Sequence, residues 1–114
     1  MKKDDLLKLA EIARVEVDTH DFGNDVFILG VLPDMKYCWS PHRNLNQAFE
    51  CVDGTDIIVD MEIVKIGSKG FAVYLYGPVV GGNSIPWPKL SVKGEGKTRA
   101  EAICKAVLKV GEEG

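Results

Sequence analysis

Apolar positions along this chain recur with two different periods, and the switches between them divide it into elements. Over residues 4–14, Leu6, Leu9, Ala10 and Ala13 repeat at helical spacing, with Asp4 and Asp5 at the end where a helix dipole favours anions. The spacing predicts a first helix. Val15 to Asp18 breaks it, and His20 to Asp25 reads as turn chemistry before the apolar run Val26-Phe27-Ile28-Leu29. That run, up to Pro33, fits either a strand or an extended segment laid over the core. Tyr37 to Arg43 is a non-helical approach to a second helix, with Asn44 as its cap and Gln47 in the matching capping-box position. Leu45, Ala48, Phe49 and Val52 then share one helical face, and Asp53-Gly54 ends it.

The period changes to two at Asp56. Ile57, Val59, Met61 and Ile63 alternate with Asp60 and Glu62, which predicts a strand over 56–66 with one buried face. Gly67-Ser68-Lys69-Gly70 is a connection of hairpin length, and Phe71 to Tyr76 is the antiparallel partner. Residues 77–88 hold Pro78, Pro86 and Pro88 with Gly77, Gly81 and Gly82, which predicts a long loop because prolines cannot enter a sheet interior. Lys89 to Lys93 alternates as a third strand. Gly94-Glu95-Gly96 then reads as a turn into a final helix capped by Thr98, with Glu101 reaching back to the cap, and stopped at Gly111. Ala100, Ile103, Cys104, Val107, Leu108 and Val110 lie on one side of that helix; Glu101, Lys105 and Lys109 lie on the other.

Helices that are apolar on one side bury that side most simply against an antiparallel sheet. The expected fold is therefore a single α+β sandwich domain over residues 1–114, in the order α-(β)-α-β-β-β-α. Its meander has three strands, or four if residues 26–33 join it.

Composition supports this reading and narrows the function. A chain of 114 residues buries roughly 65% of its unfolded surface, so a core forms without metal or disulfide. Apolar residues make up 46% and charged residues 27%, as in ordinary globular proteins. Fourteen Lys and Arg against seventeen Asp and Glu leave a formal charge of -3, which repels a polyanion overall. Cys38, Cys51 and Cys104 are unpaired in spacing, which points to a reducing cytoplasm. Lys8 and Glu11 interrupt the first apolar segment, so no signal-peptide core forms, and no run is long enough to cross a membrane.

Candidate chemistry is thin. Gly94-Glu95-Gly96-Lys97-Thr98 resembles the tail of a phosphate-binding loop, but the first glycine of that pattern falls on Ser91, inside the third strand. Cys38, His42, His20 and Cys51 offer soft and imidazole ligands without metal-site spacing, and neither histidine adjoins a nucleophile. Asp53, Asp56, Asp60 and Glu62 read as solvated carboxylates. No catalytic, cofactor or metal residue is assigned. The loop Val79 to Pro88 exceeds structural need: Trp87 between two prolines is a rigid apolar knob suited to an interface. Val79, Val80, Ile85 and Trp87 are accordingly the candidate protein contacts.

Two resemblances follow from these residues. Trp39-Ser40-Pro41 with Asn44-Leu45-Asn46-Gln47-Ala48-Phe49, a meander, and Gly96-Lys97-Thr98 with Ala100-Glu101-Ala102-Ile103-Cys104-Lys105-Ala106 resemble the phage ABA sandwich family, small proteins of phages and prophages. That resemblance implies a non-enzymatic accessory protein in the cytoplasm of a bacterial host, working through an unidentified phage or host protein. Over residues 44–110 the order helix, three strands, helix also resembles the double-stranded RNA-binding domain. It implies nucleic-acid contact through Lys97, Arg99, Lys105 and Lys109. Ala100 and Ile103 stand where that domain's phosphate clamp carries lysines, which disfavours nucleic acid as the partner.

Overall fold

The structure is a computed structural model that describes residues 1–17, 26, 39–81, 86–88 and 91–113. Three helices, α1 (Lys3–Ile12), α2 (Leu45–Asp53) and α3 (Arg99–Glu113), accompany five strands. The strands are β1 (Asp60–Lys65), β2 (Phe71–Tyr76), β3 (Val79–Gly81), β4 (Pro86–Pro88) and β5 (Ser91–Gly96). β1, β2 and β5 form an antiparallel three-stranded sheet with β2 in the centre. The α+β order expected from the sequence holds. The stretch 27–33 that could have supplied a fourth strand lies outside the described residues, as do His20 and Cys38.

Helix α3 is the hub. It lies along β5 and β2 on one side and meets α1 and α2 on the other. Burial follows from that position: Ala100, Ala102, Ile103, Cys104, Ala106, Val107 and Val110 are all buried, a wider stripe than one packing face would need. Across from it, Ile63, Val73, Leu75 and Val92 point inward from successive strands in the register Ile63 to Val73 and Leu75 to Val92. Among the described residues Trp39 is the largest fully buried side chain, and its backbone N–H donates to the Val26 carbonyl at 2.6 Å.

The segment Gly94-Glu95-Gly96 corrects the turn expected there. It continues β5, pairing Gly94 with Val73 and Gly96 with Phe71, so only Lys97 and Thr98 connect strand to helix. Glycine is required by proximity. A Cβ on Gly94 would stand 2.3 Å from the Ala106 nitrogen and 2.4 Å from the Ala102 carbonyl oxygen, and one on Gly96 would stand 2.7 Å from the Ala102 nitrogen. The two glycines and two alanines let strand and helix backbones touch. Gly111 is likewise not a stop. Helix α3 runs through it, and its bare Cα accommodates Ile12 of α1, whose Cδ1 would be 2.3 Å from an added Cβ.

Three further differences have local causes. β1 begins at Asp60 because Thr55 to Ile58 is a turn, closed by the Ile58 N–H donating to the Thr55 carbonyl at 3.0 Å; Ile57 and Val59 are exposed in consequence. α1 ends at Ile12, where Arg14 takes a left-handed φ of 57° and the Val15 N–H returns to the Ala10 carbonyl at 2.9 Å. The expected loop over 77–88 contains a separate two-stranded ribbon, β3 paired with β4 in the register Val80 to Trp87. Prolines two apart lack their N–H on the same edge of a strand, so a lone ribbon can place both along its outer edge where a sheet interior cannot.

Candidate functional site

Two surfaces collect the polar and aromatic groups that could act on a ligand. The first is a cleft of about 700 Å³ at the start of α3, lined by His42, Arg43, Leu45, Phe71, Lys97, Thr98 and Arg99 among others. Its helical wall is set by the cap: the Glu101 N–H donates to Thr98 Oγ1 at 3.2 Å. Glu101 does not complete the expected capping box as a simple reciprocal pair. Its carboxylate holds Lys105 at 3.0 Å, and that hydrogen bond pulls its pKa below the usual glutamate range against the effect of partial burial. Arg99 lies over the Phe71 ring, 4.7 Å from its centroid.

The opposite wall comes from the approach to α2. Asn44 caps that helix as expected, accepting from the Gln47 N–H at 3.1 Å, while Gln47 turns its own carbonyl to the Ser40 N–H at 2.7 Å instead of back to the cap. This fixes the 40–43 turn and so places His42 and Arg43. Burial, together with the positive charges around it, Arg43 included, lowers the His42 pKa, which leaves the imidazole neutral at pH 7. Its Nδ1 is sealed from solvent and has no hydrogen-bond partner among the described residues.

Of the four cationic candidates, Lys97 and Arg99 therefore come together with Arg43, a residue the sequence reading did not group with them. Lys105 is tied to Glu101 and faces a neighbouring cleft that also holds Lys69 and Glu95. Lys109 acts on Glu95, whose pKa is lowered chiefly by its hydrogen bond with Lys93. The basic side of α3 is thus interleaved with carboxylates.

The second surface is the sheet face turned away from α3. Residues of like parity share it, so the register aligns Asp60 with Tyr76 and Ser91, Glu62 with Tyr74 and Lys93, and Val64 with Ala72 and Glu95. Tyr74 and Tyr76 are half-buried; Asp60, Glu62, Val64, Lys93 and Glu95 are exposed. Lys93 sits 5.7 Å from the Tyr74 ring centroid and 2.8 Å from Glu95 Oε1. Partial burial, then Glu62, Tyr74 and Asp60, raise the Tyr76 pKa, so its hydroxyl stays protonated. The alternation Ala72-Val73-Tyr74-Leu75-Tyr76 carries this surface in the sequence, where its period of two marks only a strand.

The remaining candidates divide. Val79, Val80 and Trp87 lie on the β3–β4 ribbon, with Val80 and Trp87 paired; Ile85 lies outside the described residues. Cys51 and Cys104 are free thiols buried between α2 and α3, and burial pushes the pKa of Cys51 up to about 12 and raises that of Cys104 as well. Both behave as small hydrophobes. Among the described residues no group of three His, Cys, Asp or Glu converges, and no helix is long and apolar enough to cross a membrane. No protein family, no curated protein and no solved structure matches this chain.

Proposed function

We propose that this protein works by binding another protein rather than by transforming a substrate. The observation that carries the reading is the sheet face opposite α3. Tyr74 and Tyr76 follow one another along its central strand, with exposed Val64 on β1 one pair further along, opposite Ala72. Tyrosine on a flat, rigid platform supplies large contact area at small entropic loss, which is why it is enriched in interfaces. The β3–β4 ribbon, which holds Val79, Val80 and Trp87, leaves the end of β2 and extends the same reading. The resemblance to the phage ABA sandwich family makes a small accessory protein of a phage or prophage the natural setting, with a phage or host protein as partner.

A photo-crosslinking residue at Val64 tests this, with a second at exposed Lys8 on α1 as control. A discrete protein adduct from host extract is expected at Val64 alone. Equal adducts at both positions overturn the reading.

One observation favours a second reading, nucleic-acid contact: Arg43, Lys97 and Arg99 share one cleft at a helix start. Gel shifts with duplex RNA and DNA at low and moderate salt decide it, because phosphate-driven binding appears at low salt and falls steeply as salt rises.

A further inference from the structure

The two sides of the outward sheet face differ in how their charges are satisfied. On the β5 side, the ammonium of Lys93 is already used twice: Glu95 takes it at 2.8 Å, and the Tyr74 ring lies beneath it at 5.7 Å. That side shows that these rings accept a cation and is locally neutral. On the β1 side, Asp60 and Glu62 flank the same two rings through the pairings with Tyr76 and Tyr74. Asp60 Oδ1 accepts the Met61 N–H at 2.8 Å. Among the described residues neither carboxylate has a cationic partner.

Two uncompensated carboxylates beside two aromatic faces are the complement of a cation with a planar, hydrogen-bonding head. We propose that the β1 side of this face seats a basic polypeptide segment, an arginine of which lies over Tyr74 and Tyr76 with its guanidinium against Asp60 and Glu62. The inference rests on the protein-binding reading and names the partner's chemistry. Arginine fits better than lysine because its flat guanidinium stacks on a ring while its fork meets a carboxylate with two bonds. A polypeptide fits better than a small molecule because the clefts described open at the start of α3 and beside Lys105, and neither is lined by Tyr74 or Tyr76. A nucleic acid fits worst. Sheets that stack bases surround their aromatics with cations, and here phosphates would meet Asp60, Glu62 and Glu95.

Titration of the full chain with a capped hexa-arginine peptide, followed by amide NMR, tests the assignment. Shift changes are expected at residues 60–62 and 74–76. Hexa-lysine should bind several-fold more weakly, and D60N/E62Q should lose roughly tenfold or more in affinity, the scale of a lost charge-assisted contact. Tyr74→Leu, which leaves the charges in place, should also weaken binding with spectral dispersion intact. The acidic surface of α1 around Asp4, Asp5 and Glu11 is an internal control. Equal or larger shifts there, an unchanged affinity in D60N/E62Q, or stronger shifts at the face with duplex RNA would each overturn the inference. If D60N/E62Q leaves the Val64 crosslink intact while hexa-arginine fails to bind, the basic partner is refuted and the protein-binding reading stands. Loss of position dependence in the crosslink refutes the reading itself.

Discussion

The two faces of the three-stranded sheet are built from alternate residues of the same strands, yet opposite constraints shape them. The inner face is fixed by shape. Ile63, Val73, Leu75 and Val92 fill the space to α3, and Gly94 and Gly96 are bare because helix backbone occupies the place of their side chains. The outer face is fixed by charge and ring chemistry: Asp60, Glu62, Lys93 and Glu95 around Tyr74 and Tyr76. A change on the first face should be read as lost folding, and a change on the second as lost contact with something else.

Substitutions sharpen that contrast, beginning with the backbone contact. Gly94→Val must push β5 off Ala102 and Ala106, so about 3 kcal/mol or more of stability should be lost, enough to abolish a cooperative melt in a marginal domain. Ile103→Ala opens a cavity in the same layer and should lower stability by about 2–5 kcal/mol in urea. If either variant melts like the parent, the helix does not lie on the strand as described.

The capping contact is smaller. Thr98→Ala removes the acceptor for the Glu101 N–H and should cost about 1 kcal/mol, measured by thermal or chemical melting. On the outer face, Tyr76→Ser should change stability by about 1 kcal/mol or less while weakening the hexa-arginine interaction. A cost as large as that of Ile103→Ala would mean that the outer face belongs to the core.

A smaller effect concerns Glu101. Its hydrogen bond with Lys105 depresses its folded pKa below the ordinary value of 4.5, so its stabilising contribution is present above that value and is lost as pH falls through the folded pKa. The pair is half-exposed, and a helical ion pair of this spacing contributes about 0.3–0.5 kcal/mol. Glu101→Gln should lose that amount at pH 7 and converge with the parent in acid.

The glycines of β5 packed on α3, and Gly111 within α3, show why some of this was hidden in the sequence. Glycine beside Thr98 suggests a turn or a phosphate loop, and glycine after Val110 suggests a helix stop, because local rules know only backbone freedom. At Gly94 and Gly111 the cause is a neighbour far along the chain: the backbone of Ala102 and Ala106 in one case, the Ile12 side chain in the other. The difference is testable, since Gly111→Ala asks only a flexible side chain to move and gains about 1 kcal/mol of helix propensity, which leaves it near neutral. The cleft was half-legible for a similar reason. Lys97 and Arg99 are only two residues apart in sequence, but Arg43 reaches them only because Gln47 pins the turn at Ser40.

By itself the sequence determined what local physics governs: three helices with their caps at Asn44 and Thr98, a hairpin between alternating strands, and a composition sufficient for one core. Tertiary structure alone decided that α3 is buried on several sides, that its flanking glycines serve close packing, and that Asp60 and Glu62 stand beside Tyr76 and Tyr74. Register makes the last decision. Which side chains share a face depends on how distant strands align, and a slip of one residue would exchange the two faces of the sheet.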